Sequence, residues 1–145
     1  MPKISLQQVE TSYLLQLYRA HENQHTPTTG ELAKTFAVKP ASAIDVLNRL
    51  SEKKLVARTG WGKFRLTPRG HALALRVIHN HRILETFFHR ELGLEAGEAC
   101  IEAGRIDYLI GDEVVKRLCQ RLNNPATCIH GKEVKHLRCV QKQQS

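Results

Sequence analysis

The chain of 145 residues carries 22 Lys and Arg against 14 Asp and Glu, a formal charge of +8, with 8 His, 4 Cys and only 6% aromatic residues. That length supports one compact core or two small ones sharing a boundary, and it excludes a large two-domain enzyme. No stretch reaches the roughly 18–20 consecutive apolar residues that cross a bilayer, and the start MPKISLQQVE has no signal-peptide core, so a cytoplasmic protein without membrane contact is expected. The positive surplus points to a polyanion, nucleic acid first, although an inert basic surface has the same composition.

From Ile4 to about His21, the residues Leu6, Val9, Tyr13, Leu14, Leu17 and Tyr18 recur at three- and four-residue spacings and predict an amphipathic helix. The turn ENQHTPTT follows, with Thr28 or Thr29 as N-cap of a short helix, GELAKTFAV. Lys39-Pro40 opens another helix, because Pro at the first helical position forfeits no hydrogen bond; its stripe is Ala43, Val46, Leu47 and Leu50. The segments LVARTG and KFRLT, joined through Gly60-Trp61-Gly62, alternate apolar with basic residues and predict a hairpin. Helix, two short helices and a hairpin are the order of a winged helix-turn-helix, assigned to residues 1–70.

A long helix from Pro68 through HREL carries more apolar residues than one stripe needs, so part of it should lie against whatever follows the wing. Gly93 ends it. Further helices are predicted from about Ala96 to Asp107 and from Asp112 through DEVVKRLCQRL, before NNPATCIHG breaks the pattern. The fold class is therefore mainly α, a winged DNA-binding domain followed by a helical domain at residues 71–131. That second domain carries more apolar surface than a small domain buries, which predicts a homodimer. Residues 132–145 are expected to form a basic, cysteine-containing and poorly packed tail.

The second helix of a helix-turn-helix presents its first turn to the major groove. Here that turn holds Lys39, Pro40, Ala41, Ser42, Ala43 and Asp45: small residues permit close approach, Ser42 can bond a base or phosphate, and Ala41 or Ala43 can touch a thymine methyl. No arginine is placed to read guanine bidentately, so modest base specificity aided by DNA shape is expected. Arg49, Lys53, Lys54, Arg58, Lys63, Arg65 and Arg69 surround this face as phosphate contacts, although any one of them alone reads equally well as a solvated surface residue.

All of Cys100, Cys119, Cys128 and Cys139 fall in the last third of the chain, without a CxxC pair. In a reducing compartment such thiols are ligands, a redox sensor or small buried hydrophobes rather than disulfides. No nucleophile is paired with a base, and neither a phosphate loop nor paired acids occur, so an enzyme is not expected.

The segment ELAKTFAVKPASAIDVLNRLSEKKLV, the wing ending in LTPRG, the long helix with HRILE, and GDEVVKRL together resemble the diphtheria toxin repressor family of metal-dependent transcriptional regulators. The likeness spans nearly the whole chain and corresponds to short members without the third, SH3-like domain. It implies a dimer on a palindromic duplex operator; the second domain supplies the dimer face and senses metal, with the metal sites lying between the two domains. The family motif of His followed four residues later by Glu matches His81 and Glu85, a spacing that puts both donors on one helical face. The pattern Glu-Ala-Cys-x-x-Glu-His falls on residues 102–108, so Gly104, Asp107 and Tyr108 stand where the family has Cys, Glu and His. Cys100, one turn earlier, takes the place of an ancillary ligand, and Ser12 that of the ligand on the first helix.

Cys128-Ile129-His130-Gly131 resembles a Cys-Pro-His-Gly stretch of family members, while Cys139 is an addition. These departures imply a rebuilt site: Cys100, Cys128 and Cys139 converging with His81 and Glu85 or among themselves, with Asp107 and His130 as further donors. Iron, as Fe(II) or an iron–sulfur cluster, suits this mixture best, with zinc or manganese as alternatives. The expected function is a repressor of metal homeostasis. The competing reading is a metal-independent, architectural winged-helix protein in which His81 and Glu85 are an ordinary ion pair, Cys119 is a core residue, and His79 and His89 lie at the surface.

Overall fold

The computed structural model describes residues 5–136 and 139. In chain order it contains α1 (Gln8–Glu22), α2 (Thr29–Thr35), α3 (Pro40–Glu52), β1 (Val56–Arg58), β2 (Phe64–Leu66), α4 (Pro68–Leu92), α5 (Ala96–Ile106) and α6 (Asp112–Arg121). The chain divides into two compact units, residues 1–75 and 76–145, and the division falls within α4. Among the described residues no helix is long and apolar enough to cross a membrane.

The first unit is a winged helix-turn-helix. Its helix α1 begins at Gln8 rather than near Ile4, which lies outside the described residues: Gln7 is extended, and its N–H donates to Glu10 Oε1 at 3.1 Å, which sets the start. Tyr13, Leu14, Leu17 and Tyr18 are buried as their spacing predicts, but Val9 is half exposed and Glu10 is buried in its stead. Lys53 makes that burial tolerable, with Nζ at 2.6 and 2.9 Å from the two Glu10 carboxylate oxygens. Thr28 caps α2 by accepting from the Glu31 N–H, and the helix stops at Thr35 because Ala37 takes a positive φ of 52°. In α3, Pro40 occupies the first turn, and Ala43, Val46, Leu47 and Leu50 face the core.

Strands β1 and β2 pair antiparallel, with Ala57 opposite Arg65. At the hairpin tip Gly60, Trp61 and Gly62 have φ of 82°, 44° and 71°, a left-handed run that two glycines make accessible. Thr29 holds the wing to α2 by donating from both its N–H and its hydroxyl to the Gly62 carbonyl, each at 2.9 Å. Where α4 begins, Gly70 passes so close to β1 that an added Cβ would lie 1.8 Å from the Leu55 carbonyl oxygen.

In the second unit, Ile83, Val115, Cys119, Leu122, Cys128, Val134 and Cys139 form one buried cluster. Of the segment expected to form a poorly packed tail, Val134 and Cys139 are buried among the described residues. Thr127 bridges Glu133, the Val134 N–H donates to the Ala126 carbonyl at 2.9 Å, and buried Arg82 donates to the Glu133 carbonyl at 2.7 Å. Val134 supplies the apolar anchor that a reading by charge overlooks; residues 137, 138 and 140–145 lie outside the described ones.

Candidate nucleic-acid face and metal centre

On α3 the outward face carries Pro40, Ala41, Ser42, Asp45 and Arg49, preceded by exposed Lys39. Ala43 is fully buried, so of the two alanines offered to a thymine methyl only Ala41 is available. Lys53 also leaves the set of phosphate contacts, because its ammonium is engaged with Glu10 and with the Ser5 carbonyl at 2.8 Å. Lys54, Arg58, Lys63, Arg65 and Arg69 are exposed. Sequence reasoning passed over Trp61, which is 100% exposed at the wing tip. The signal was present: an indole between two turn glycines has no neighbours on its own hairpin to bury it.

The candidate metal donors lie in the second unit. One helical turn on α4 places His81 and Glu85 on the same face, and both are buried. His81 Nε2 lies 3.5 Å from Glu85 Oε2 and 3.4 Å from Cys100 Sγ, brought in by α5. On the other side of the ring, Nδ1 meets Asp107 Oδ2 at 3.0 Å. Asp107, expected as a ligand, thus stands behind the histidine instead of beside the other donors. Its own position is fixed at the C-cap of α5, where its main-chain carbonyl accepts from Asn80 Nδ2 at 2.9 Å.

Glu85 belongs to a second donor group as well. His130 Nδ1 lies 3.2 Å from the same Oε2, and Cys128 completes a triad with them. Cys139 is elsewhere, grouped with His79, Cys119 and His136. The expected convergence of Cys100, Cys128 and Cys139 with His81 and Glu85 therefore holds only in part: Cys100 joins both, Cys128 joins Glu85 alone, and Cys139 belongs to a third set. With one cysteine per triad, the residues do not assemble the thiolate frame of an iron–sulfur cluster. Gly104, standing where the family motif has Cys, has no side-chain donor to offer. A Cβ added at Gly104 would meet no atom within 4 Å, so packing does not dictate the missing side chain there.

The triad His81, Glu85 and Cys100 fits a divalent cation on three counts. Its nitrogen, oxygen and sulfur donors all lie within 4.8 Å of one another. Asp107 receives Nδ1–H and aims Nε2 at the other two, the carboxylate–histidine support usual behind metal-bound imidazoles. The electrostatics also favour a cation at this place. Burial alone would lower the His81 pKa, yet hydrogen bonds to Asp107, Cys100 and Glu85 outweigh it and raise the imidazole to about 11. Glu85 is shifted the opposite way: burial pushes it up, but His81, Cys128 and His130 hold it below the ordinary carboxylate range. Burial, followed by the Glu85 carboxylate, raises the Cys128 thiol against the backbone hydrogen bonds that lower it.

Comparison with known proteins identifies the family. Residues 5–60 match the family model "Iron dependent repressor, N-terminal DNA binding domain", and residues 67–135 match "Iron dependent repressor, metal binding and dimerisation domain". The iron-dependent repressor IdeR of Mycobacterium tuberculosis is 29% identical over 122 residues, 84% of this chain and 53% of IdeR. The chain thus spans about half the length of the curated relatives it matches. Among solved structures, the manganese regulator SloR superposes with a TM-score of 0.80 at 25% identity, covering 92% of this chain and 63% of SloR. A hypothetical protein from Sulfolobus solfataricus superposes with a TM-score of 0.69 at 28% identity, covering 90% of this chain and 99% of that one.

Proposed function

Because the chain belongs to the iron-dependent repressor family, we propose that it is a metal-responsive transcriptional repressor that binds duplex DNA as a homodimer. The observation that carries this reading is the triad of buried His81 and Glu85 with half-buried Cys100, Asp107 standing behind the histidine. Buried ionisable groups are costly in a protein interior unless they are paired or hold a cation, and these three point toward one place. Fe(II) is the effector we assign. Imidazole and carboxylate suit it, a thiolate donor disfavours manganese, and the dispersal of the cysteines leaves a mononuclear ion in place of a cluster.

DNA is met by α3 and the wing. Lys39, Pro40, Ala41, Ser42 and Asp45 approach the base edges, while Arg49, Lys63 and Arg65 reach phosphates on either side. Two such units must be held by a two-fold partner to read a palindromic operator. The second unit offers the surface, since Ile101, Ile106, Leu109 and Val114 are 64%, 38%, 66% and 53% exposed on α5, the following turn and α6. When bound, the cation supplies a positive charge that draws α4 and α5 together at one point. His81 and Glu85 would hold it from α4 and Cys100 from α5, and a cation so held would favour the conformations in which these helices are clamped.

Anaerobic fluorescence anisotropy of the full chain on duplex DNA, with Fe(II), Mn(II) or Zn(II) added singly, tests the proposal. Fe(II) is expected to tighten binding, and His81→Ala and Glu85→Ala to abolish the response. Affinity unchanged by all three ions would favour the metal-independent architectural reading.

A further inference from the structure

The donors of the second unit are not exhausted by the repressor centre. His79 precedes His81 by two residues on α4, about 200° around the helix, and so faces away from it. On that other face His79 Nε2 lies 3.2 Å from Cys139 Sγ, and Cys119 Sγ lies 3.2 Å from His136 Nδ1. The four ligand atoms all lie within 4.8 Å of one another. We propose that His79, Cys119, His136 and Cys139 form a structural zinc site that fastens the segment after Gly131 to α4 and α6.

Stereochemistry supports a single tetrahedral ion. Zinc bonds of about 2.0 Å to nitrogen and 2.3 Å to sulfur give a tetrahedron with edges of roughly 3.3–3.8 Å. The two nitrogen-to-sulfur separations of 3.2 Å fall somewhat short of the roughly 3.5 Å that separates nitrogen from sulfur in such a tetrahedron, so slight expansion admits the ion. His136 is oriented as such a ligand requires: Nε2–H donates to the Pro125 carbonyl at 2.7 Å, which turns the Nδ1 lone pair toward Cys119. The His79 and His136 rings stand edge to face with centroids 5.5 Å apart, close but unstacked, as two imidazoles on one ion stand. A two-iron cluster with this donor set would keep thiolates and imidazoles on separate irons, whereas here each thiol adjoins an imidazole.

Two soft thiolates with two imidazoles select zinc over the harder cations. Four protein ligands leave no position for water or substrate, the mark of a structural ion rather than a reactive one. The consequence for the fold is direct. Cys119 and Cys139 are both members of the buried cluster with Ile83, Val115 and Val134, so the ion would staple the end of the described chain into a small core.

The site is tested on the full chain, purified anaerobically without chelator. One zinc per chain is expected, with an X-ray absorption shell of two sulfur and two nitrogen scatterers, and Co(II) in its place should show the visible bands of a tetrahedral thiolate complex. Cys119→Ser and Cys139→Ser should lose that signature, while the combined His81→Ala, Cys100→Ser variant, which disables the repressor centre, should keep it. The absorption measurement needs no variant and stands even if Cys119→Ser fails to fold. A shell without sulfur, a zinc-free chain with a Cys119–Cys139 disulfide, or a cobalt signature that survives both serine substitutions or vanishes with His81 and Cys100 would overturn the proposal.

Discussion

The approach of α4 to β1 sets a sharp test of packing, because the same substitution should act oppositely at two helical glycines. In Gly70→Ala the new Cβ would stand 1.8 Å from the Leu55 carbonyl oxygen and 2.8 Å from its carbon. Ordinary contact begins at 3.4 Å, so the two backbones must separate by 1.6 Å (3.4 minus 1.8). That oxygen also accepts the Thr67 N–H at 3.0 Å, and Thr67 in turn caps the Gly70 N–H through its hydroxyl at 3.0 Å. Separation therefore adds an overpacking cost of about 1–3 kcal/mol to a lost hydrogen bond of about 1 kcal/mol, against a helix-propensity gain of about 1 kcal/mol. The net expectation is a loss of about 1–3 kcal/mol, or a fall in melting temperature of roughly 3–10 °C for a chain of this size. Gly104→Ala meets no atom within 4 Å, so only the propensity gain of about 1 kcal/mol remains. Thermal and urea unfolding of both variants, followed by circular dichroism, separates the effects. A Gly70→Ala protein as stable as the parent would refute the close-approach argument, whatever Gly104→Ala does.

Lys53→Met strands the Glu10 carboxylate, 1% exposed, without its cation, and should destabilise by about 2 kcal/mol; adding Glu10→Gln should recover most of that loss in urea titrations. Replacing Lys63 and Arg65 together by Ala should weaken binding to every duplex and flatten the salt dependence by about two units, while unchanged binding would remove the wing from the interface. Asp107→Asn should lower metal affinity about 10–100-fold by calorimetry with the helical spectrum intact, whereas unaltered affinity would deny Asp107 its orienting role. Ile101→Glu with Leu109→Glu should yield monomers in sedimentation experiments; a persistent dimer would place the interface elsewhere.

What was legible in the sequence was local. The spacing of Tyr13, Leu14, Leu17 and Tyr18, Pro40 at a helix start, and alternation about Gly60 and Gly62 each act within a few residues, and each produces the element it predicts. His81 and Glu85 were legible for the same reason, one turn apart on one helix. The roles of Asp107 and Cys139 were not, because they depend on distances across the chain. Asp107 lies 26 residues from the ring it orients, and Cys139 lies 60 residues from His79. Grouping the cysteines by type united thiols that the fold separates, and the same habit set His79 aside as a surface residue. Val9 failed for a subtler reason: a capped first turn buried Glu10 with its lysine partner and turned the valine outward.

The fully exposed indole at the wing tip has a practical consequence. Trp61 is the one tryptophan of the chain, and it stands where the wing would meet a phosphate backbone or groove. Its emission therefore arises from a single, water-bathed fluorophore whose environment changes when the hairpin docks, while rearrangements around His81 or His79 take place in a unit without tryptophan. The protein carries its own optical reporter of wing engagement, and quenching by a soluble quencher, measured with and without duplex, distinguishes a buried tip from one that hangs free beside the helix.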